Sequence, residues 1–221
     1  MKQTYTRKLI LIAFLLIRFA ILYGQDSNRF TKQVQNLYKK EYHFNPGKKL
    51  VVFTGSSSIR KWIDIQDYFP TVNVINNGFG GSEFSDLTHF YDELILKHAP
   101  EILFIYEGDN DIGRGKSVHK VKRQAINLVK RIKHDLPNTK VIFISPKPSL
   151  ARKNIKNKYI RFNKKLQRYC QKTDNIQFAD VWTVMMDENG NVFDDIFIAD
   201  GLHMNKKGYD LWATILEQYL K

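Results

Sequence analysis

Leu50-Val51-Val52-Phe53-Thr54-Gly55-Ser56-Ser57-Ser58-Ile59 is a β-branched and aromatic run that stops on a glycine and three serines. A run apolar on successive residues has no face to offer water, so it reads as a strand covered on both sides, as in a parallel sheet. Further runs of this kind occupy residues 72–76, 102–106, 141–145 and 176–181. Between and around them, helical spacing of apolar residues predicts helices over 30–42, 85–98, 118–136, 155–171 and 206–220. Regular alternation of strand and helix predicts an α/β fold, a three-layer α/β/α sandwich around a central, mostly parallel five-stranded sheet. In such sheets ligands bind beyond the carboxyl ends of the strands.

At 221 residues the chain suits one domain. Residues 1–24 carry Lys2, Arg7 and Lys8 ahead of an apolar run that Arg18 interrupts. This reads as a signal peptide cleaved after Gly24, leaving residues 25–221 as the domain, secreted or periplasmic, with no stable membrane span. A retained leader would instead anchor the protein. Residues 26–49 read as a polar lead-in. The lone cysteine, Cys170, rules out an intramolecular disulfide framework and reads as a small apolar helix residue. Four cations of the leader contribute to the formal charge of +13. The rest of the excess gathers in 116–133 and 152–168, where it reads as solvated helix faces with no nucleic-acid motif.

Four polar segments lie just past strands or just before the last helix. Gly55-Ser56-Ser57-Ser58 would present a hydroxyl and backbone N–H groups at a strand-to-helix turn, although serine is also an ordinary N-cap. Asn76-Asn77-Gly78-Phe79-Gly80-Gly81-Ser82 would let backbone approach a ligand. Tyr106-Glu107-Gly108-Asp109-Asn110-Asp111 offers an uncharged amide donor, or simply an Asx turn. Asp200-Gly201-Leu202-His203 spaces a carboxylate and an imidazole so that one turn places the first behind the second. The loop 146–158, with two prolines and many cations, is positioned to shape a substrate entrance.

Taken in order over residues 50–212, these blocks resemble the SGNH, or GDSL-type, esterase and acylhydrolase family, in a secreted bacterial branch. The resemblance implies a flavodoxin-like SGNH hydrolase fold. It implies Ser57 as nucleophile, His203 as general base and then acid, and Asp200 as the group that orients His203. The N–H groups of Ser57 and Gly81 with the Asn110 amide would form the oxyanion hole. Ser56 stands where the family usually has aspartate, and only alignment with the family selects Ser57 from its neighbours Ser56 and Ser58.

The expected activity is hydrolysis of carboxylic esters through an acyl-enzyme, on short acyl groups such as acetyl carried by carbohydrate, with no metal or organic cofactor. Lysophospholipid or other lipid esters are the alternative substrates. A non-catalytic carbohydrate-binding module and a metal-dependent hydrolase are the rival readings. Asp109 and Asp111 are weak candidates for a cation site. His43, His89, His98, His119 and His134 read as surface residues, and Tyr209 and Trp212 as packing for the last helix. Oligomeric state is not legible.

Overall fold

A computed structural model describes residues 26–221; the leader expected over residues 1–24 lies outside them. Strands β1 (Leu50–Gly55), β2 (Asn73–Gly78), β3 (Ile102–Tyr106), β4 (Lys140–Ile144) and β5 (Ile176–Ala179) form one sheet. Its order is β2-β1-β3-β4-β5, and every neighbouring pair is parallel. The helices are α1 (Thr31–Tyr38), α2 (Ser57–Arg60), α3 (Ile65–Tyr68), α4 (Phe84–His89), α5 (Tyr91–Leu94), α6 (Asp109–Gly113), α7 (Val118–Asp135), α8 (Lys156–Cys170) and α9 (Lys206–Leu216).

Because successive strand side chains point to opposite faces, each strand feeds two cores. Val51, Phe53 and Phe104 join Trp62, Tyr209 and Trp212 on one face. Val52, Leu103 and Ile105 join Leu128, Ile132 and Phe162 on the other. Burial on both sides is why the strands read as unbroken apolar runs. Phe53 stacks on Phe104 with ring centroids 4.4 Å apart, and truncating such a ring to alanine costs about 3–5 kcal/mol. Cys170, Tyr209 and Trp212 are buried, as expected of packing residues.

The predicted helix over 85–98 is broken into α4, α5 and a 3₁₀ turn, Leu96–His98. Thr88 hydroxyl donates to the Phe84 carbonyl at 2.8 Å, a back-bond that bends helices. Ala99, ahead of Pro100, leaves the helical region altogether at φ 42°. The lead-in helix stops at Tyr38, and α9 passes into a 3₁₀ turn at Glu217–Tyr219. One-turn helices α3 and α6 are too short to show a helical period, so the sequence did not announce them, whereas α2 begins at the strand-to-helix turn read at Gly55-Ser56-Ser57-Ser58. His98 departs from the surface reading: its ring packs edge-on against Tyr42, and burial pulls its pKa down to about 4. Among the described residues, no helix is long and apolar enough to cross a membrane.

The chain lays β2 on one side of β1 and β3 on the other. Connections leaving β1 and β3 therefore diverge, and a crevice opens where a ligand can bind.

Candidate active site

β1 ends at Gly55 with φ +122°, where a Cβ would lie 2.1 Å from the Tyr106 carbonyl oxygen. Only glycine fits this close approach. The next N–H, of Ser56, donates to that same carbonyl at 3.1 Å and ties the turn to β3. The Ser56 carbonyl then accepts from Ile59 and Arg60 N–H, starting α2. Asn76 Nδ2 donates to the Ile59 and Trp62 carbonyls at 2.8 and 2.9 Å, and Tyr209 hydroxyl to the Ser58 carbonyl at 2.9 Å. In this braced turn Ser56 and Ser58 are buried, at 1% and 2% exposure, while Ser57 is partly exposed. Ser57 opens α2, so its N–H has no acceptor within the helix.

The Asp200–His203 turn reaches the same point from the far end of the chain. Asp200 Oδ1 accepts from the N–H groups of Leu202 and His203 at 2.9 and 2.8 Å. Its Oδ2 lies 2.5 Å from His203 Nδ1, and His203 Nε2 lies 2.9 Å from Ser57 Oγ. Ile198 N–H closes the turn on the His203 carbonyl at 2.9 Å, and Asn205 caps α9 just behind it. Partial desolvation opposes ionisation of Asp200, but the hydrogen bonds from the His203 ring and from two backbone N–H groups outweigh it and hold its pKa at about 2. An ionised carboxylate, an imidazole and a hydroxyl in line can move a proton off the hydroxyl.

Gly81, after β2, and Asn110, in α6 after β3, lie past the ends of the two strands that flank β1 and meet each other. A Cβ on Gly81 would lie 3.8 Å from Asn110 Nδ2. Asn110 is buried, at 7% exposure, and its Nδ2 donates to the Ser82 carbonyl at 2.9 Å. One Nδ2 hydrogen remains for a ligand. Of the five residues singled out in the sequence, Ser57, His203 and Asp200 are joined by hydrogen bonds, while Gly81 and Asn110 lie close to each other past β2 and β3.

The acidic neighbours of Asn110 are engaged in ion pairs. Asp109 pairs with Arg152 and accepts from Tyr106 hydroxyl at 2.9 Å. Burial would raise its pKa, but Lys147 and Arg152 more than compensate and hold it down. Asp111 pairs with Lys116 at 2.8 Å and accepts from Phe84 N–H at 3.1 Å. Both aspartates are structural anchors, so the cation reading is replaced by ion pairing.

Sequence reasoning did not single out Arg152 or Lys147. Arg152 Nη2 donates to Asn110 Oδ1 at 2.9 Å. Lys147, 1% exposed, donates to the Leu202 carbonyl at 2.5 Å, inside the Asp200–His203 turn. Burial pushes its ammonium down to about 8, against the pull of Asp109. The one signal for both was their place in the basic loop flagged as a substrate entrance. That loop runs into the 3₁₀ segment Leu150–Ile155 and then α8. With Trp182, Met186 and Val192 it lines a cleft of about 220 Å³.

The family model for GDSL-like lipases and acylhydrolases matches residues 53–211. The chain belongs to this family. As a GDSL-like acylhydrolase it is a carboxylic ester hydrolase. No curated protein matches it significantly. Among solved structures it resembles a Streptococcus pneumonia protein provisionally described as a platelet activating factor, with a TM-score of 0.75 and 20% identity over 96% of this chain and 99% of that one. It also resembles a GDSL-like lipase from Bacteroides thetaiotaomicron, with a TM-score of 0.71 and 21% identity over 88% of this chain and 97% of that one. An acetylxylan esterase from Geobacillus stearothermophilus matches with a TM-score of 0.64 and 14% identity over 78% of this chain and 94% of that one. At these identities the likeness is one of fold.

Proposed function

We propose that this GDSL-like hydrolase is a secreted serine esterase that removes short acyl groups, acetyl above all, from carbohydrate. The observation that carries the serine mechanism is the unbroken line Asp200 Oδ2, His203 Nδ1, His203 Nε2, Ser57 Oγ, with steps of 2.5 and 2.9 Å across its two hydrogen bonds. Burial of Ser56 and Ser58, beside a partly exposed Ser57, supports Ser57 as the nucleophile among the three adjacent serines.

In this mechanism His203 Nε2 takes the Ser57 proton as Oγ attacks the ester carbonyl. Asp200 holds the Nδ1–H tautomer and stabilises the imidazolium that forms. The carbonyl oxygen becomes an oxyanion facing Ser57 N–H, Gly81 N–H and the free Asn110 Nδ2–H. Each such donor is worth about 3 kcal/mol in the transition state. His203 gives its proton to the departing alcohol, then activates a water that attacks the acyl-enzyme and frees the acid. Charge stays balanced at each step.

Support for a small substrate comes from the adjoining cleft of about 220 Å³, below the roughly 300–1,000 Å³ of pockets that enclose drug-sized ligands. Lys153 and Lys156 line it together with Leu150, Trp182, Met186 and Val192, a mixed surface with apolar room for a short acyl group and cations for a polar alcohol portion. Catalytic variants of the Geobacillus acetylxylan esterase change a serine, an aspartate and a histidine, the last two three positions apart, the spacing of Asp200 and His203. Export would follow from the basic and apolar character of residues 1–24.

Hydrolysis of p-nitrophenyl acetate and longer acyl homologues, beside Ser57→Ala, tests the reading. Turnover should be fastest on acetyl and fall with chain length, and Ser57→Ala should lose about 10⁴-fold or more. Activity retained by Ser57→Ala would refute the assignment. A preference for long chains would redirect it to lipid esters.

A further inference from the structure

We propose that Arg152 is a positioning residue that fixes which way the Asn110 amide faces and strengthens its remaining N–H as a donor. The proposal rests on the assignment of Asn110 to the oxyanion hole.

A terminal amide can turn over about its last torsion, exchanging its oxygen for its NH₂. For an oxyanion hole the exchange is decisive, because one orientation offers a proton and the other a lone pair. Two neighbours set the orientation here. Arg152 has donors only, and its Nη2 lies 2.9 Å from Asn110 Oδ1. The Ser82 carbonyl only accepts, and lies 2.9 Å from Nδ2. Turned over, the amide would aim NH₂ at a guanidinium and a lone pair at a carbonyl, and it would present its own oxygen to the incoming oxyanion.

Arg152 is itself held from several sides. Its Nη1 donates to the Asp109 carboxylate and to the Asp109 carbonyl at 3.1 Å. Tyr159 hydroxyl also donates to that carbonyl, at 2.9 Å. A Cβ on Gly113 would lie 3.0 Å from Arg152 Cζ, so the bare glycine lets the guanidinium lie close against the end of α6. One planar group therefore grips the first two residues of α6, Asp109 and Asn110, at once. An ammonium on a lysine stem lacks that fork. A positive charge on Oδ1 also draws electron density through the amide, and hydrogen bonds polarised in series reinforce one another.

The test is a double-mutant cycle on p-nitrophenyl acetate. Arg152→Met should lower kcat about 10-fold with KM changed by less than about twofold, the pattern of an interaction felt in the transition state. Arg152→Lys should restore only part. In an Asn110→Ala background, Arg152→Met should cost less than about twofold, because the amide that transmits its effect is gone. Since Arg152→Met strands the buried Asp109 carboxylate, the cycle is repeated with Arg152→Met/Asp109→Asn, and each variant's melting temperature is recorded. Equal kcat losses in both Asn110 backgrounds, or no loss from Arg152→Met, would overturn the proposal while Ser57→Ala still abolished turnover. If Ser57→Ala stayed active, the oxyanion assignment would fail with it.

Discussion

The two sides of the crevice are built by opposite means. On the His203 side, the groups are near the surface and local in sequence: Asp200 and His203 lie in one turn, and the Asp200 side chain is 43% exposed. Its carboxylate is held ionised by a ring and two backbone N–H groups. On the Asn110 side, the groups are buried and distant in sequence: Asp109 and Asn110 meet Arg152 from more than forty residues away. There the charges are kept by one another, Asp109 by Lys147 and Arg152. A surface turn can be re-aimed at little cost in stability, whereas a buried charged floor cannot lose one member without stranding the rest.

The largest effect should come from the surface side. Asp200→Asn should cut kcat about 10⁴-fold, because the amide favours the wrong imidazole tautomer, while stability near pH 7 falls by only about 1 kcal/mol, as for a solvent-screened carboxylate. A large loss of stability in that variant would erase the contrast between the two sides. The same carboxylate gives an acid signature. Its pKa, about 2 against an ordinary 3.8, makes a contribution to stability that is present above pH 3.8 and is lost as pH falls through 2. The urea-unfolding gap between wild type and Asp200→Asn should therefore shrink between pH 5 and pH 2.

On the buried side, Asn110→Ala should slow turnover about 100-fold or more with little change in KM, measured on the acetyl ester. Lys147→Met isolates the cost of a buried ammonium. With its pKa depressed to about 8 from 10.5, folded Lys147 releases its proton while the unfolded chain still holds it, so this group adds stability as pH rises from 8 to 10.5. The rise is at most about 3 kcal/mol. Unfolding free energies at pH 7.5 and 10.5 should show this component in wild type and not in Lys147→Met.

The smallest effect should fall on Glu107, 1% exposed. Burial and then Asp111 raise its pKa well above the ordinary value, and Ser82 hydroxyl donates to Oε1 at 2.5 Å. A raised carboxylate pKa costs stability progressively above pH 4.5. Glu107→Gln should lie within about 1 kcal/mol of wild type at pH 5 and gain on it by pH 8.

The same contrast explains what the sequence disclosed. The parallel sheet was legible because strands buried on both faces must be apolar throughout, and the five strand runs lie within two residues of β1–β5 at either end. The two turns that bring Ser57, Asp200 and His203 together were legible because turns write themselves in contiguous residues: a glycine at positive φ before the serines, and a carboxylate three residues before an imidazole. Arg152 was hidden among the eight basic side chains of residues 152–168, since nothing local tells a cation that turns inward from those that stay in water. His98 was missed for the related reason that Tyr42, which covers it, is far off in sequence. Among Ser56, Ser57 and Ser58 the residues alone favour none, the family resemblance points to Ser57, and burial of its two neighbours, a property of the packed turn, supports it.

The most direct test of the central claim is to treat the protein with paraoxon and locate the phosphoryl adduct by peptide mass spectrometry. One adduct is expected, on Ser57, formed in step with loss of esterase activity and absent from His203→Ala. An adduct on Ser56 or Ser58, or full inactivation with Ser57 unmodified, would contradict it.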